Sequence, residues 1–157
     1  MISLDESMGE DILEALEKIS KMIGRDFEWM IIGSCNMFLQ GIDVIPNDID
    51  IVAHEGKFEA IKKTFSEHIK RDIHIYEGTL GKYPRIIVEI EGVEVEIMGE
   101  DDNGVYFKNI SEGTLELDIR GMRLKCLELE KEAEVYEMLG QEKRVEQIDE
   151  FLRDKMA

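Results

Sequence analysis

The run Asp48-Ile49-Asp50-Ile51-Val52-Ala53 constrains this chain more than any other segment. Its β-branched residues favour a strand, and a strand sends alternate side chains to opposite faces. Ile49 and Ile51 then enter a core, while Asp48 and Asp50 share the other face. Two carboxylates a few ångströms apart repel each other unless a cation lies between them. Their acceptor-only oxygens suit a hard divalent ion such as magnesium. Upstream, Glu28 to Ile32 reads as a short buried strand running into Gly33-Ser34. A glycine and a small hydroxyl residue at a strand end let the backbone approach a phosphate closely. Together these two segments describe a site for a metal-bound triphosphate.

The remaining pattern supplies a frame for that site. Apolar residues at Ile12, Leu13, Leu16, Ile19 and Ile23 mark a helix over 11–23, ended by Gly24. Ser34 is expected to cap a short helix with Met37 and Phe38 inside, ending near Gly41. A helix is expected over 57–69, with Phe58, Ile61, Phe65 and Ile69 on one face. A strand follows over 72–76. Strands over 85–90 and 93–98 flank Glu91-Gly92, and strands over 114–119 and 122–124 flank Arg120-Gly121; both are hairpin signals. Residues 127–156 are helical twice over, with a break at Gly140-Gln141. The expected fold is α+β with a mixed sheet: a core over 1–125 including the N-terminal helix, and a helical extension over 126–157 packed on the same domain.

Composition narrows the functional classes. A chain of 157 residues, 43% hydrophobic, suits one domain with a full core. No apolar run reaches the ~20 residues of a membrane span, and the acidic start lacks a signal-like pattern. Cys35 and Cys126 read as reduced core thiols, which points to a cytoplasmic protein. Nineteen basic residues against thirty-six acidic ones leave a net charge of −17. That balance argues against a polynucleotide partner, whose phosphates need a basic stripe. A free nucleotide stays compatible, because bound metal ions and a few local cations reverse the sign inside one cleft.

Two-metal sites use a third acid. Val95-Glu96-Ile97 supplies one on a strand expected near the sheet centre, with Glu94 a competitor on the same face. Glu100-Asp101-Asp102-Asn103-Gly104 lacks the ligand spacing of a calcium loop and reads as a solvated turn. His54, His68 and His74 share no ligand spacing.

With Gly33-Ser34, Asp48-Ile49-Asp50 and Glu96 in this order, the chain resembles the DNA polymerase beta-like nucleotidyltransferase superfamily. The stretch from Gln40 to Ile51 is similar to small stand-alone members, and so is the tail with Gly121-Met122-Arg123-Leu124 and Leu139-Gly140. The resemblance implies transfer of a nucleoside monophosphate from an NTP, ATP foremost, to a small-molecule or protein acceptor, with release of pyrophosphate. Asp48, Asp50 and Glu96 would hold two Mg²⁺ ions, and Gly33 and Ser34 would bind the terminal phosphates. Arg85, Lys131, Lys143 and Arg144 are the candidate cations for the outer phosphates. The alternative is a non-catalytic module of the same fold, an antitoxin-like partner of another protein, suggested by the charged tail; the stripe of Leu127, Val135, Met138 and Leu139 suits either packing within the chain or a homodimer. Three retained, mutually repelling acids favour the enzyme.

Overall fold

The computed structural model describes residues 4–157, with side chains from residue 9 onward. The start of the chain, where no signal-like segment is expected, therefore lies partly outside the described residues. In chain order come α1 (Leu4–Ile23), β1 (Trp29–Ile32), α2 (Gly33–Leu39), β2 (Asp48–His54), α3 (Phe58–Thr64), β3 (Ile69–Gly78), β4 (Gly81–Ile90), β5 (Val93–Glu100), β6 (Thr114–Ile119), β7 (Met122–Leu127), α4 (Leu129–Met138) and α5 (Glu142–Met156). The seven strands form one sheet in the order β3-β4-β5-β2-β1-β7-β6, so β2 occupies its centre. β2 runs parallel to β5 and β1 parallel to β7, while the other neighbours are antiparallel. The expected α+β fold with a mixed sheet is the one observed.

Alternation along the strands divides the molecule into two faces. Ile49, Ile51, Ile86, Val88, Val95 and Ile97 pack against Leu16 and Ile19 of α1 and against Phe58, Ile61 and Phe65 around α3. Met30, Ile32, Val52, Met98 and Leu127 face the other way and pack with Tyr106, Phe107 and Val135 of α4. A third cluster joins Met37 of α2 to Leu129 of α4 and Ile148 of α5. Cys35 and Cys126 are fully buried and free. Burial holds the Cys35 thiol well above its usual range and pushes Cys126 up to about 12, so both are unreactive. No helix among the described residues is long and apolar enough to cross a membrane.

Four elements depart from the sequence reading. α1 begins at Leu4 rather than near Asp11. The helix expected over 57–69 ends at Thr64. Phe65 closes it through an N–H bond to Ile61, and Ile69 is drawn into pairing with Val88. That pairing lengthens the strand expected over 72–76 to Ile69–Gly78 and joins it to β4 in a hairpin turning at Thr79-Leu80. Leu127 belongs to β7, and the tail helices begin at Leu129. The two hairpins read from sequence are present. Glu91 and Gly92 have φ of 52° and 77°, and Arg120 and Gly121 have 53° and 81°, the paired positive values of tight two-residue turns.

Candidate functional site

Asp48 and Asp50 lie on the β2 face opposite α1 and α3, as the burial of Ile49 and Ile51 requires. In the parallel register Asp50 sits opposite Glu96 of β5, and Asp48 opposite Glu94. Carboxylate oxygens of Asp48, Asp50 and Glu96 lie within 4.8 Å of one another. Glu94 instead pairs with Lys70 at 2.9 Å. No protein cation neutralises the cluster fully: Arg85 Nη1 stands 3.7 Å from Glu96 Oε1. Burial, then the charges of Glu96 and Glu94, raises the Asp48 carboxyl. Burial, then the charges of Asp48 and Glu96, holds Asp50 well above the usual carboxylate range. Such a group of hard oxygens, costly to ionise together, is a site that a divalent cation would relieve.

Gly33 sits directly beside this cluster. Its φ is +72°, and a Cβ built on it would lie 2.9 Å from Asp50 Oδ2. Gly33→Ala is therefore expected to strain the backbone and press on Asp50. A loss of about 1–2 kcal/mol follows from the left-handed conformation alone, read as a melting temperature lower by roughly 2–8 °C. An unchanged melt would mean that the turn adopts another backbone conformation in solution.

Ser34 does not cap α2. The cap position is Ile32, without a side-chain hydrogen bond, and Ser34 lies half-buried inside the first turn. What anchors this turn is Glu132, a residue that sequence reasoning passed over. Glu132 of α4 is fully buried, and its Oε1 accepts hydrogen bonds from Gly33 N–H at 2.6 Å and Asn36 Nδ2 at 3.0 Å. Asn36 Nδ2 also donates to the Leu127 carbonyl, and Gln40 Nε2 donates to Asn36 Oδ1 and to that same carbonyl. Glu132 Oε2 is buried without a partner. Burial pushes the Glu132 carboxyl up to about 7, against the opposing pull of the Asn36 and Gly33 hydrogen bonds. The available signal was its spacing: Glu132 falls on the apolar stripe of Leu129, Val135 and Leu139, where a glutamate has no ordinary reason to be.

A cavity of about 300 Å³ opens over Gly33, Asp50 and Glu96. Tyr76, Tyr83, Tyr106 and Tyr136 contribute to its walls, with Leu80, Met98 and Leu139. Arg85 lines it, whereas Lys131, Lys143 and Arg144 do not. Lys143 is exposed in the first turn of α5, and Arg144 donates from Nη1 to Gln147 Oε1 at 3.1 Å. Of the four cations singled out from sequence, the fold brings one to the cavity.

Known proteins share this frame. A protein of Thermotoga maritima assigned as a candidate nucleotidyltransferase, TM1012, superposes with a TM-score of 0.74 at 25% identity, over 92% of this chain and 94% of its own. The lincosamide antibiotic adenylyltransferase LnuA, solved with lincomycin bound, gives 0.59 at 12% identity over 89% of this chain and 95% of its own. ANT(2'')-Ia, solved with adenylyl-2''-tobramycin, gives 0.54 at 15% identity over 93% of this chain and 88% of its own. Among curated proteins, no relative matches the sequence. These likenesses agree with the nucleotidyltransferase-superfamily resemblance carried by the glycine turn and the acids. The profile of the family described as aminoglycoside-2''-adenylyltransferase matches residues 11–153, and the chain belongs to that family.

Proposed function

We propose that this protein moves a nucleoside monophosphate from an NTP, ATP foremost, to the hydroxyl of a small molecule, with release of pyrophosphate. The observation that carries the reading is the convergence of Asp48, Asp50 and Glu96 within 4.8 Å beside the Gly33 turn. Family membership supports it. The small-molecule acceptor is carried over from relatives solved with lincomycin or with adenylylated tobramycin. A fold kept only to bind a partner protein would gain nothing from three carboxylates that repel one another.

The donor set fits magnesium: three residues offering carboxylate oxygens, partly buried and only loosely countered by Arg85. Asp48, Asp50 and Glu96 would hold it. When bound, the ion would neutralise triphosphate charge and ease ionisation of the acceptor hydroxyl. The chain's own residues provide position. Gly33 presents no side chain toward Asp50, so the phosphates can approach the turn closely. Glu132 already occupies the Gly33 N–H, and Gly33 rather than Ser34 lines the cavity, so a phosphate there would meet the glycine turn through its open face. Ile32, Met98 and Leu139 make part of the cavity wall apolar. In the transfer, the acceptor oxygen bonds to the α-phosphorus, and the bond from that phosphorus to the bridging oxygen of the β-phosphate breaks. Pyrophosphate leaves with the electron pair, and the hydroxyl proton passes to water at the cavity mouth.

Incubation with ATP and Mg²⁺ is expected to raise the melting temperature by several degrees, as ligand binding at saturation does. EDTA should cancel the rise. No shift with any of the four NTPs in the presence of Mg²⁺ or Mn²⁺ would overturn the reading.

A further inference from the structure

One wall of the cavity is built on β3 and β4, which supply Tyr76, Tyr83 and Arg85. Arg85 dominates it, with a side chain only 15% exposed. Arg85 Nε donates to His74 Nε2 at 3.0 Å, so that nitrogen acts as acceptor. His74 Nδ1, 2.9 Å from the Asp72 carbonyl, is then the protonated one and donates to it. The guanidinium lies 4.4 Å over the Tyr76 ring, and Tyr76 and Tyr83 stand 5.3 Å apart at a 38° tilt. One edge of Arg85 is thus fixed by His74 and one face by Tyr76.

The other edge makes no hydrogen bond, only the loose ion pair with Glu96. At 3.7 Å the approach of Nη1 to Glu96 is too long for a hydrogen bond. Among the described residues, Nε to His74 is the one hydrogen bond the Arg85 side chain makes. An arginine this enclosed, oriented by its neighbours and holding its Nη donors toward a cavity, is arranged to receive planar oxygens. Glu96 does not fill that role once it serves as a metal ligand. Asp50 and Glu96 are the only carboxylate residues in the lining, and both belong to the metal cluster. No further acid is present there for a polycation, and Arg85 would repel one. The volume of about 300 Å³ lies at the low end for ligand sites, which favours a small acceptor.

We propose that the acceptor is a small ring compound bearing a hydroxyl and one carboxylate or phosphate, its anionic group held by Arg85 and its ring against Tyr76 and Tyr83. This rests on the transferase reading for what happens to the hydroxyl, and on the cavity alone for what binds. The transfer balances as given above: the ring hydroxyl oxygen gains the α-phosphoryl group, and pyrophosphate departs.

The experiment is a panel of ring alcohols and phenols graded by charge: glucuronate, glucose 6-phosphate and 4-hydroxybenzoate, then glucose, then glucosamine and tobramycin. Pyrophosphate release is followed with ATP and Mg²⁺, and thermal shifts are recorded for each compound without nucleotide. At least one anionic compound is expected to exceed its neutral and cationic counterparts tenfold in kcat/KM and to shift the melt unaided; the carboxylate and phosphate members separate the two sources of charge. Arg85→Ala should raise the KM for that compound tenfold or more, with Arg85→Lys intermediate and the affinity for a non-hydrolysable ATP analogue retained. Preference for glucosamine or tobramycin would overturn the proposal. So would an Arg85→Ala variant whose loss falls on nucleotide affinity, since Arg85 would then serve the triphosphate. A melt shifted by the anionic compound but not by any MgNTP would sink the transferase reading and leave the anion site standing; no shift and no turnover with any anionic compound would remove the site.

Discussion

Asp50→Asn is expected to cut nucleotidyl transfer by on the order of 10³-fold or more while raising the melting temperature of the ligand-free protein. The two effects have one origin. Asp50 is buried beside Asp48 and Glu96, and its carboxyl is held well above the usual range by burial first and those charges second. A raised carboxyl favours the folded state only while protonated. Its contribution is complete below the ordinary aspartate value and is lost as pH climbs through the folded value. Above the ordinary aspartate value the charge must be either given up or carried into this site, which opposes folding, and the neutral amide removes that opposition. The proposed function needs the charge. As a metal ligand Asp50 would supply several kcal/mol of charge stabilisation, hence the size of the expected rate effect. Added Mg²⁺ should raise the wild-type melt and leave the variant close to its starting point. A variant that melts lower than wild type at pH 7.5, or that keeps wild-type turnover, would contradict the account of this cluster.

The second large effect concerns Glu132 and runs against the common trend of proteins that lose stability in acid. Its carboxyl stands at about 7 rather than the ordinary 4.5, because it is wholly buried. The stability it contributes is complete below about pH 4.5 and is lost between there and about pH 7. A gap of that size corresponds to on the order of 3 kcal/mol. Glutamine copies the protonated form: its carbonyl can accept from Gly33 and Asn36, and its amide occupies the place of the unpartnered Oε2. Glu132→Gln should match wild type near pH 4.5 and melt higher by on the order of 5–10 °C at pH 8. A difference that stays flat across this range would show that Glu132 titrates normally. Glu132→Ala should instead be destabilised at every pH, because Gly33 N–H loses its buried acceptor and Asn36 one of its two.

Much of this architecture was legible from local chemistry. Asp48-Ile49-Asp50 could be read because a period of two is a property of the extended chain and needs no knowledge of the neighbours. The Glu91-Gly92 and Arg120-Gly121 turns were legible for a similar reason: each needs two positive φ values, and glycine adopts one of them without cost. Gly33 was legible as a close approach, although not what approaches it. The end of α3 was not. Phe65 and Ile69 continue a helical stripe, and only the demand of β4 for a neighbour turns Ile69 into the first residue of a strand.

The order of the acids along the chain, the small residue beside them and the alternation that points two aspartates one way were all set by sequence, since each depends on a few adjacent residues. Tertiary structure alone decided that Glu96 rather than Glu94 completes the cluster, through the register of β2 on β5 and the hold of Lys70 on Glu94. It also decided that Arg85 reaches the cavity while Lys143 and Arg144 remain outside, and that Glu132, ninety-nine residues away, takes the Gly33 amide. Contacts between segments far apart in sequence leave no periodic trace, because they are selected by packing once the chain has closed on itself.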